Sequence, residues 1–405
     1  MYDVHLEVNG TRYGGFRSGE FTLSLEQMCN DFSLNYSDVW ADDSRHAPIQ
    51  EGDRCKLIVD DNTMIDGWVD VADGDYDATS WGLQVQGRST ACDLVDCSAM
   101  NEPGQWTNKT VPQIVADLVN PFAAVQLITL GEPGSNLGKF TLQRGETAGS
   151  AILRAARLRS FLVYTAGDTL VLAKVSATRT STVLRRGQRI LKAKKHASLQ
   201  ERYSDYYFKG QTRATDQVNG VAASQIRGDI EDHGVPRYRP LKVVAGGAEG
   251  PADLGARAIM ERNQRAGRSE RLSMKVEGWK TDEGYLWEPN ILVRVTDDWH
   301  DIDQDMIVVS ASFTFNGDTG SGGYTTMLEV CDPKAFDTGD VPLIRRRRRP
   351  TRVEIWAEAP AGQTVSPLVD IPGPLQSGIY TYREETRAAP QPSASHGRRH
   401  RRAHR

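Results

Sequence analysis

The acidic run Asp73-Gly74-Asp75-Tyr76-Asp77 has alternate carboxylates, the kind of spacing by which side-chain oxygens converge on a hard cation such as calcium. Its glycine stands at the second position and no distal glutamate closes the loop, so the run reads as a solvated acidic turn. The carboxylate pairs Asp60/Asp61 and Asp297/Asp298 offer the residue types of two-acid glycoside chemistry. Both stand among turn residues, and nothing around them marks a cleft. Cys92 and Cys97 do not match a C-x2-C metal knuckle, and no histidine pair lies near them at finger or helical spacing. The five cysteines, Cys29, Cys55, Cys92, Cys97 and Cys331, are odd in number and scattered, and they read as buried free thiols. Of the eight histidines, His396, His400 and His404 fall in the C-terminal tail, and none of the others has a partner at ligand spacing. There is no G-x-S-x-G elbow, no H-E-x-x-H, no P-loop and no dinucleotide glycine fingerprint. Gly317, Gly320, Gly322 and Gly323 lie between two strand-like segments and read as a hairpin loop. These residues predict no enzyme: no catalytic set, no cofactor, no metal and no small-molecule substrate.

The charge distribution offers a better candidate. Residues 345–405 hold 13 Arg and Lys against 5 Asp and Glu, a net of +8, while residues 1–344 hold 36 against 48, a net of −12. An acidic body thus carries a basic tail. Within it Arg345, Arg346, Arg347, Arg348 and Arg349 form a block ahead of Pro350, a candidate contact with an acidic partner. Binding of nucleic acid through such a segment would rest on phosphate neutralisation. Few aromatics interleave with the arginines, which argues against stacking on single strands, and the large acidic body would go unexplained, so nucleic acid is not the expected partner.

The surrounding sequence is strand-like. Leu272/Met274/Val276, Ile291/Val293/Val295, Ile307/Val309/Phe313/Phe315 and Tyr324/Thr326/Leu328/Val330 each keep one face apolar at period two, the pattern of antiparallel strands with one buried face. The same pattern fills residues 3–87, with a hairpin signal at Asn9-Gly10 and a tight turn near Asp60-Asp61-Asn62. Between the two, Thr110-Val111-Pro112-Gln113 fits a capping box before the helical stripe Ile114, Val115, Leu118 and Val119. A second helix spans about 147–159 and a hairpin turns at Gly167-Asp168. Residues 190–211 return to strand chemistry with Tyr203, Tyr206, Tyr207 and Phe208, residues 212–250 read as long connections, and a helix follows Pro251.

The fold class expected is α+β, mainly β, with two similar antiparallel β-barrel domains and small α+β domains, because closing a barrel removes exposed strand edges. The expected division is a first barrel at 1–98, a small α+β domain at 99–178, a second barrel from 179–220 and 285–340, an inserted helix-containing domain at 221–284, and a basic, largely disordered extension at 341–405. No apolar run reaches the roughly 20 residues of a membrane helix, and the N-terminus has no secretory pattern, so folding in a cytoplasm without membrane contact is expected.

One set of residues carries a resemblance. Val8-Asn9-Gly10, Tyr13-Gly14-Gly15-Phe16, Ser24-Leu25-Glu26, Pro48-Ile49-Gln50-Glu51-Gly52-Asp53, Gly278-Trp279, Leu286-Trp287-Glu288-Pro289-Asn290 and the segment Leu328 to Phe336 look like the baseplate hub proteins of Mu-like contractile-tailed phages. The resemblance covers about residues 1–340. It implies a structural homotrimer in the virion baseplate, made in the host cytoplasm, with a trimeric tail spike protein below and the tail tube or other baseplate proteins above. It also implies two barrels per chain, giving six in a pseudo-sixfold ring. A reading of another class is a cell-envelope carbohydrate-binding or degrading tail component, for which Trp40, Trp68, Trp81 and Trp106 would have to supply an aromatic platform.

Overall fold

The computed structural model describes residues 2–37, 49–76, 81–175, 178–211, 226–248, 251–317 and 323–336. Alternating apolar residues produce seven N-terminal strands: β1 (Val4–Val8), β2 (Thr11–Tyr13), β3 (Ser18–Ser24), β4 (Asp31–Ser37), β5 (Arg54–Val59), β6 (Asn62–Tyr76) and β7 (Trp81–Ser89). Asn9 and Gly10, at φ 50° and 82°, make the left-handed pair that a two-residue hairpin needs, and Asp60 and Asp61, at 48° and 66°, do the same between β5 and β6. The Asp60/Asp61 pair is therefore a turn, as its neighbours in sequence predict.

An α+β segment follows: α1 (Cys92–Asp96), β8 (Gln105–Lys109), α2 (Val111–Val119), β9 (Gln126–Leu130), β10 (Leu137–Thr141), α3 (Ala148–Arg157), β11 (Leu162–Ala166) and β12 (Thr169–Ala173). The capping box at α2 forms in both directions. The Gln113 amide N–H donates to Thr110 Oγ1 at 3.4 Å and the Thr110 N–H donates to Gln113 Oε1 at 3.0 Å. Its apolar stripe, Ile114, Val115, Leu118 and Val119, packs with Ile152 and Ala156 of α3 in a core of its own.

The chain then adds β13 (Arg179–Arg185), β14 (Ile190–Ala197), β15 (Asp205–Gln211), β16 (Ile226–Glu231), β17 (Pro240–Ala248), α4 (Pro251–Ser269), β18 (Glu270–Glu277), β19 (Leu292–Asp297), β20 (Ile302–Asn316), β21 (Thr325–Cys331) and a 3-10 turn at Pro333–Phe336. The fold is mainly β, as expected. Its strands are divided differently in two places. Asp205–Gln211 pairs with β16 and β17 in a three-stranded sheet and not with the second strand set, because Tyr206 and Phe208 pack on Leu254 and Ala258 of α4. Glu270–Glu277 goes the other way, into the large sheet, where Leu272, Met274 and Val276 are fully buried. Residues 226–231 and 240–248, within the stretch that reads as connections, are strands that both pair with β15, the second of them ending in a Gly- and Ala-rich run that masks its strand character.

Thirteen strands form one sheet, in the order β14-β18-β21-β20-β3-β4-β7-β6-β5-β1-β2, with β19 on β20 and β13 on β19. Two separate closed barrels are the expectation from the sequence. Among the described residues no ladder closes on itself, and the antiparallel pair β3–β20 joins the two strand sets. One hydrophobic core follows the sheet across that joint, holding Leu6, Leu34 and Val85 together with Leu272, Val293 and Leu328.

The two sets nevertheless repeat one topology. The order β3-β4-β7-β6-β5-β1 matches β14-β18-β21-β20-β19-β13 strand for strand, and in both sets the strands occur in the same order along the chain. The fifth strand along the chain in each set, β6 or β20, has 15 residues and a register shift against its successor, between Val69 and Val71 in one and Val308 and Ser310 in the other. They differ at the far end, where β1 runs antiparallel to β5 but β13 runs parallel to β19.

Candidate functional site

The joint between the repeats is built from residues that local sequence places on one face of β3 and β20. Phe21 and Phe313 stand opposite each other in the ladder, and their rings stack with centroids 4.5 Å apart. Trp279, wholly buried, closes this cluster with edge-on contacts to Phe21, Phe313, Phe315 and Tyr324. Its indole N–H is shared between the carbonyls of Thr314 and Thr325, at 3.3 and 3.2 Å. Tyr2 stacks on the other side at 4.8 Å and accepts the Trp279 backbone N–H on its hydroxyl at 2.9 Å, tying the N-terminal segment to the second repeat. Gly19 makes room for this packing: a Cβ there would lie 2.6 Å from Phe315 Cε1 and from Leu34 Cδ2. On the opposite face Thr22 and Ser312 share a hydroxyl–hydroxyl bond of 3.0 Å.

An ionic cluster braces the same joint. Glu26 accepts from Arg271 at 2.6 Å and from Arg268 at 3.3 Å, and Arg271 also reaches Glu329 at 3.1 Å. Burial alone would raise the Glu26 carboxyl, but the Arg271 hydrogen bond and the charges of Arg271 and Arg268 outweigh it and hold it below the ordinary carboxylate value.

The residues that sequence singles out for chemistry are dispersed by the fold. Among the described residues no group of three or more His, Cys, Asp or Glu could hold a metal ion. Asp73 and Gly74 are not a turn: they lie in β6, paired with Gln84 and Leu83 of β7, so the acidic alternation lies along a strand. Asp297 is buried and accepts the Trp299 and His300 backbone N–H groups, with His300 Nδ1 2.6 Å from its other oxygen, while Asp298 pairs with Arg186. The Asp297–His300 contact is a local cap three residues long that the isolated histidine pattern does not reveal. The five cysteines are free thiols, though Cys97 is exposed and Cys29 only partly buried. Trp106 donates to Asp117 within the α+β core and Trp68 lies under Arg54 in the first repeat, so the two do not form a common platform. Trp40, Arg345, Arg346, Arg347, Arg348, Arg349, His396, His400 and His404 lie outside the described residues.

Among the described residues the large sheet ends on β14, β2 and β13, each paired on one side. β14 pairs with β18 alone. Besides β7, β6 is paired by β5 as far as Trp68 and bonded by Gly52 and Asp53 at Val69, and among the described residues its continuation through Asp73 is paired with β7 alone.

Comparison with known proteins agrees with this architecture. Residues 3–89 match the N-terminal domain model of Mu phage baseplate assembly protein GpP-like, residues 91–174 the second domain of baseplate hub protein gp44-like, and residues 250–339 the fourth domain of Mu phage baseplate assembly protein GpP. Baseplate hub protein gp44 of Escherichia phage Mu is 30% identical over 300 residues, covering 72% of this chain and 78% of that protein. The 43 kDa tail protein of prophage MuSo2 from Shewanella oneidensis superposes with a TM-score of 0.73 at 28% identity, over 83% of this chain and all of that one. A tail protein from Neisseria meningitidis shares the fold, with a TM-score of 0.72 at 22% identity over 84% of this chain and 98% of its own.

Proposed function

Because this chain belongs to the family of Mu-type baseplate hub proteins, we propose that it acts as a homotrimer joining the central spike of a contractile tail to the tail tube. It is a structural component of the phage baseplate. The observation that carries the trimeric reading is the repeated six-strand topology within one chain. Three copies supply six like modules, which presents near-sixfold surfaces to a hexameric tube and threefold surfaces to a trimeric spike, so one closed ring reconciles two symmetries. Membership of a baseplate hub family supports a role in holding partners. The arginine block at 345–349 is assigned to an acidic surface of a neighbouring baseplate protein, an attraction that acts within a Debye length of about 8 Å at physiological salt.

Gold-labelled antibody against this chain, applied to particles that contain it, tests the assignment. Label confined to the end of the tail away from the capsid is the result expected. Label along the sheath or on the capsid contradicts the hub reading, and capture of peptidoglycan fragments by the purified chain would favour a glycan-binding tail component.

A further inference from the structure

Two of the five free thiols meet. Cys29 stands on the connection between β3 and β4, outside both ladders, and Cys92 opens α1. The end of β7 brings them together. The Ser89 N–H donates to the Asn30 carbonyl at 2.9 Å, and the Asn30 N–H donates to the Ser89 hydroxyl at 3.1 Å. That hydroxyl lies 3.4 Å from the Cys29 sulfur, which is itself 3.6 Å from the Ser89 carbonyl oxygen. Three residues after Ser89 the chain enters α1, and the thiols of Cys29 and Cys92 are in hydrogen-bond contact. The two cysteines serve different parts of the fold. β3 and β4 belong to the first repeat, whereas Leu94 of α1 packs in the core of the α+β segment, where Met28 joins it.

We propose that Cys29 and Cys92 form a redox modification site, a dithiol that a low-molecular-weight disulfide such as oxidised glutathione converts to an intramolecular disulfide, clamping the β3–β4 connection to the α+β segment. The other three thiols lack this combination of access and partner. Cys55 and Cys331 are buried, and burial pushes each up to about 12, so neither supplies thiolate near neutral pH. Cys97 is exposed and caps the other end of α1. Cys29 is only partly buried. The hydrogen bond from Cys92 holds its thiol below the ordinary value against the effect of burial, with further help from Ser89 and the Arg88 charge.

The exchange runs in two steps. The Cys29 thiolate attacks one sulfur of oxidised glutathione, forming a mixed disulfide and releasing one glutathione thiolate. Cys92 keeps its proton while Cys29 is a thiolate, because it donates to that thiolate, is buried and lies 3.9 Å from an Asp93 oxygen. Once Cys29 is capped, the first of these restraints is gone. Cys92 then gives up its proton, attacks the Cys29 sulfur and expels the second glutathione. Two protein thiols are oxidised by two electrons, and one small disulfide becomes two thiols. The sulfurs must close to about 2.05 Å, and Cys29, carried by a connection and not by a ladder, is the side free to move. The pair stays open where thiols are kept reduced and closes in an oxidising medium.

To test the pair, the full-length chain is incubated with excess oxidised glutathione at about pH 8, remaining thiols are alkylated under denaturing conditions, and the digest is mapped by mass spectrometry. Peptides carrying Cys29 and Cys92 should be joined by a bond that reductant removes, while exposed Cys97 takes up glutathione and controls for access of the oxidant. In Cys92→Ser, Cys29 should retain glutathione as a stable adduct, and in Cys29→Ser, Cys92 should stay a free thiol. If either variant fails to fold, the wild-type map still decides. The bridge closes a loop of about 60 residues, so oxidised wild type should melt about 5 °C or more above its reduced form, a gap absent from Cys29→Ser. A wild type in which Cys29 keeps glutathione with Cys92 free, or in which both stay thiols while Cys97 reacts, overturns the pair. A mapped bridge with an unchanged Tm overturns the clamp.

Discussion

Replacing Trp279 with alanine removes the side chain that holds the two repeats and the N-terminal segment together. An indole of this kind buries about 200 Å² or more. At about 25 cal/mol per Å² that is worth about 5 kcal/mol, an upper bound because the unfolded chain already hides part of this surface. Large-to-small substitutions of buried tryptophan cost about 3–5 kcal/mol, so a loss of about 4 kcal/mol is expected. The ring contacts with Tyr2, Phe21, Phe313, Phe315 and Tyr324 all go at once, and the Thr314 and Thr325 carbonyls lose a shared donor. One kcal/mol moves the melting midpoint of a cooperative unit of 150–250 residues by roughly 2–4 °C. A fall of about 8 °C or more in Tm is therefore expected, with near-ultraviolet circular dichroism lost from the aromatic cluster and far-ultraviolet signal kept below the transition. A fall of less than about 2 °C would refute the claim that this tryptophan secures the joint.

Other perturbations bear on the same architecture. Gly19→Val drives a side chain into Phe315 and Leu34 and should cost about 1–3 kcal/mol in urea denaturation; an unchanged midpoint would show that the two strands part easily. Glu26 has a folded pKa below its ordinary 4.5, so its stabilisation is complete above that value and is lost as pH falls through the folded value. Wild type should therefore lose more stability than Glu26→Gln as pH falls from about 5 to about 3, and parallel pH profiles would contradict the bracing role of Arg268 and Arg271. Deleting residues 388–405, a stretch of mainly Pro, Ala, Ser, His and Arg, should leave Tm and oligomer mass unchanged, because it has little apolar surface to offset an ordering cost of about 1–2 kcal/mol per residue. Dissociation, or a loss of several degrees, would show that this stretch is structural.

Much of the architecture was legible because it is local. Period-two alternation marked the strands, Asn9-Gly10 and Asp60-Asp61 fixed two hairpin turns, and Thr110 with Gln113 marked the start of a helix. Long-range partnership was not legible. The aromatic run Tyr206 to Phe208 suits a barrel strand and equally the face of a helix, and the helix that decides between them begins about 40 residues later in sequence. Alternation likewise says which face of β3 is buried but not that β20 is its neighbour some 290 residues away. The acidic residues from Asp73 looked like a turn because glycine and aspartate disfavour strands, yet β7 holds them extended. The joint at Trp279 left a sequence trace only as Gly278-Trp279 and Leu286-Trp287, whose meaning comes from the packing.

The mass and shape of the purified full-length chain test the central claim most directly. Light scattering combined with class-averaged electron micrographs should give three times the 44.8 kDa chain mass and end views with six lobes around an opening. A monomer at micromolar concentration, or a trimer whose end views show three lobes and no further subdivision, would contradict the account of two like repeats per chain closing into one ring.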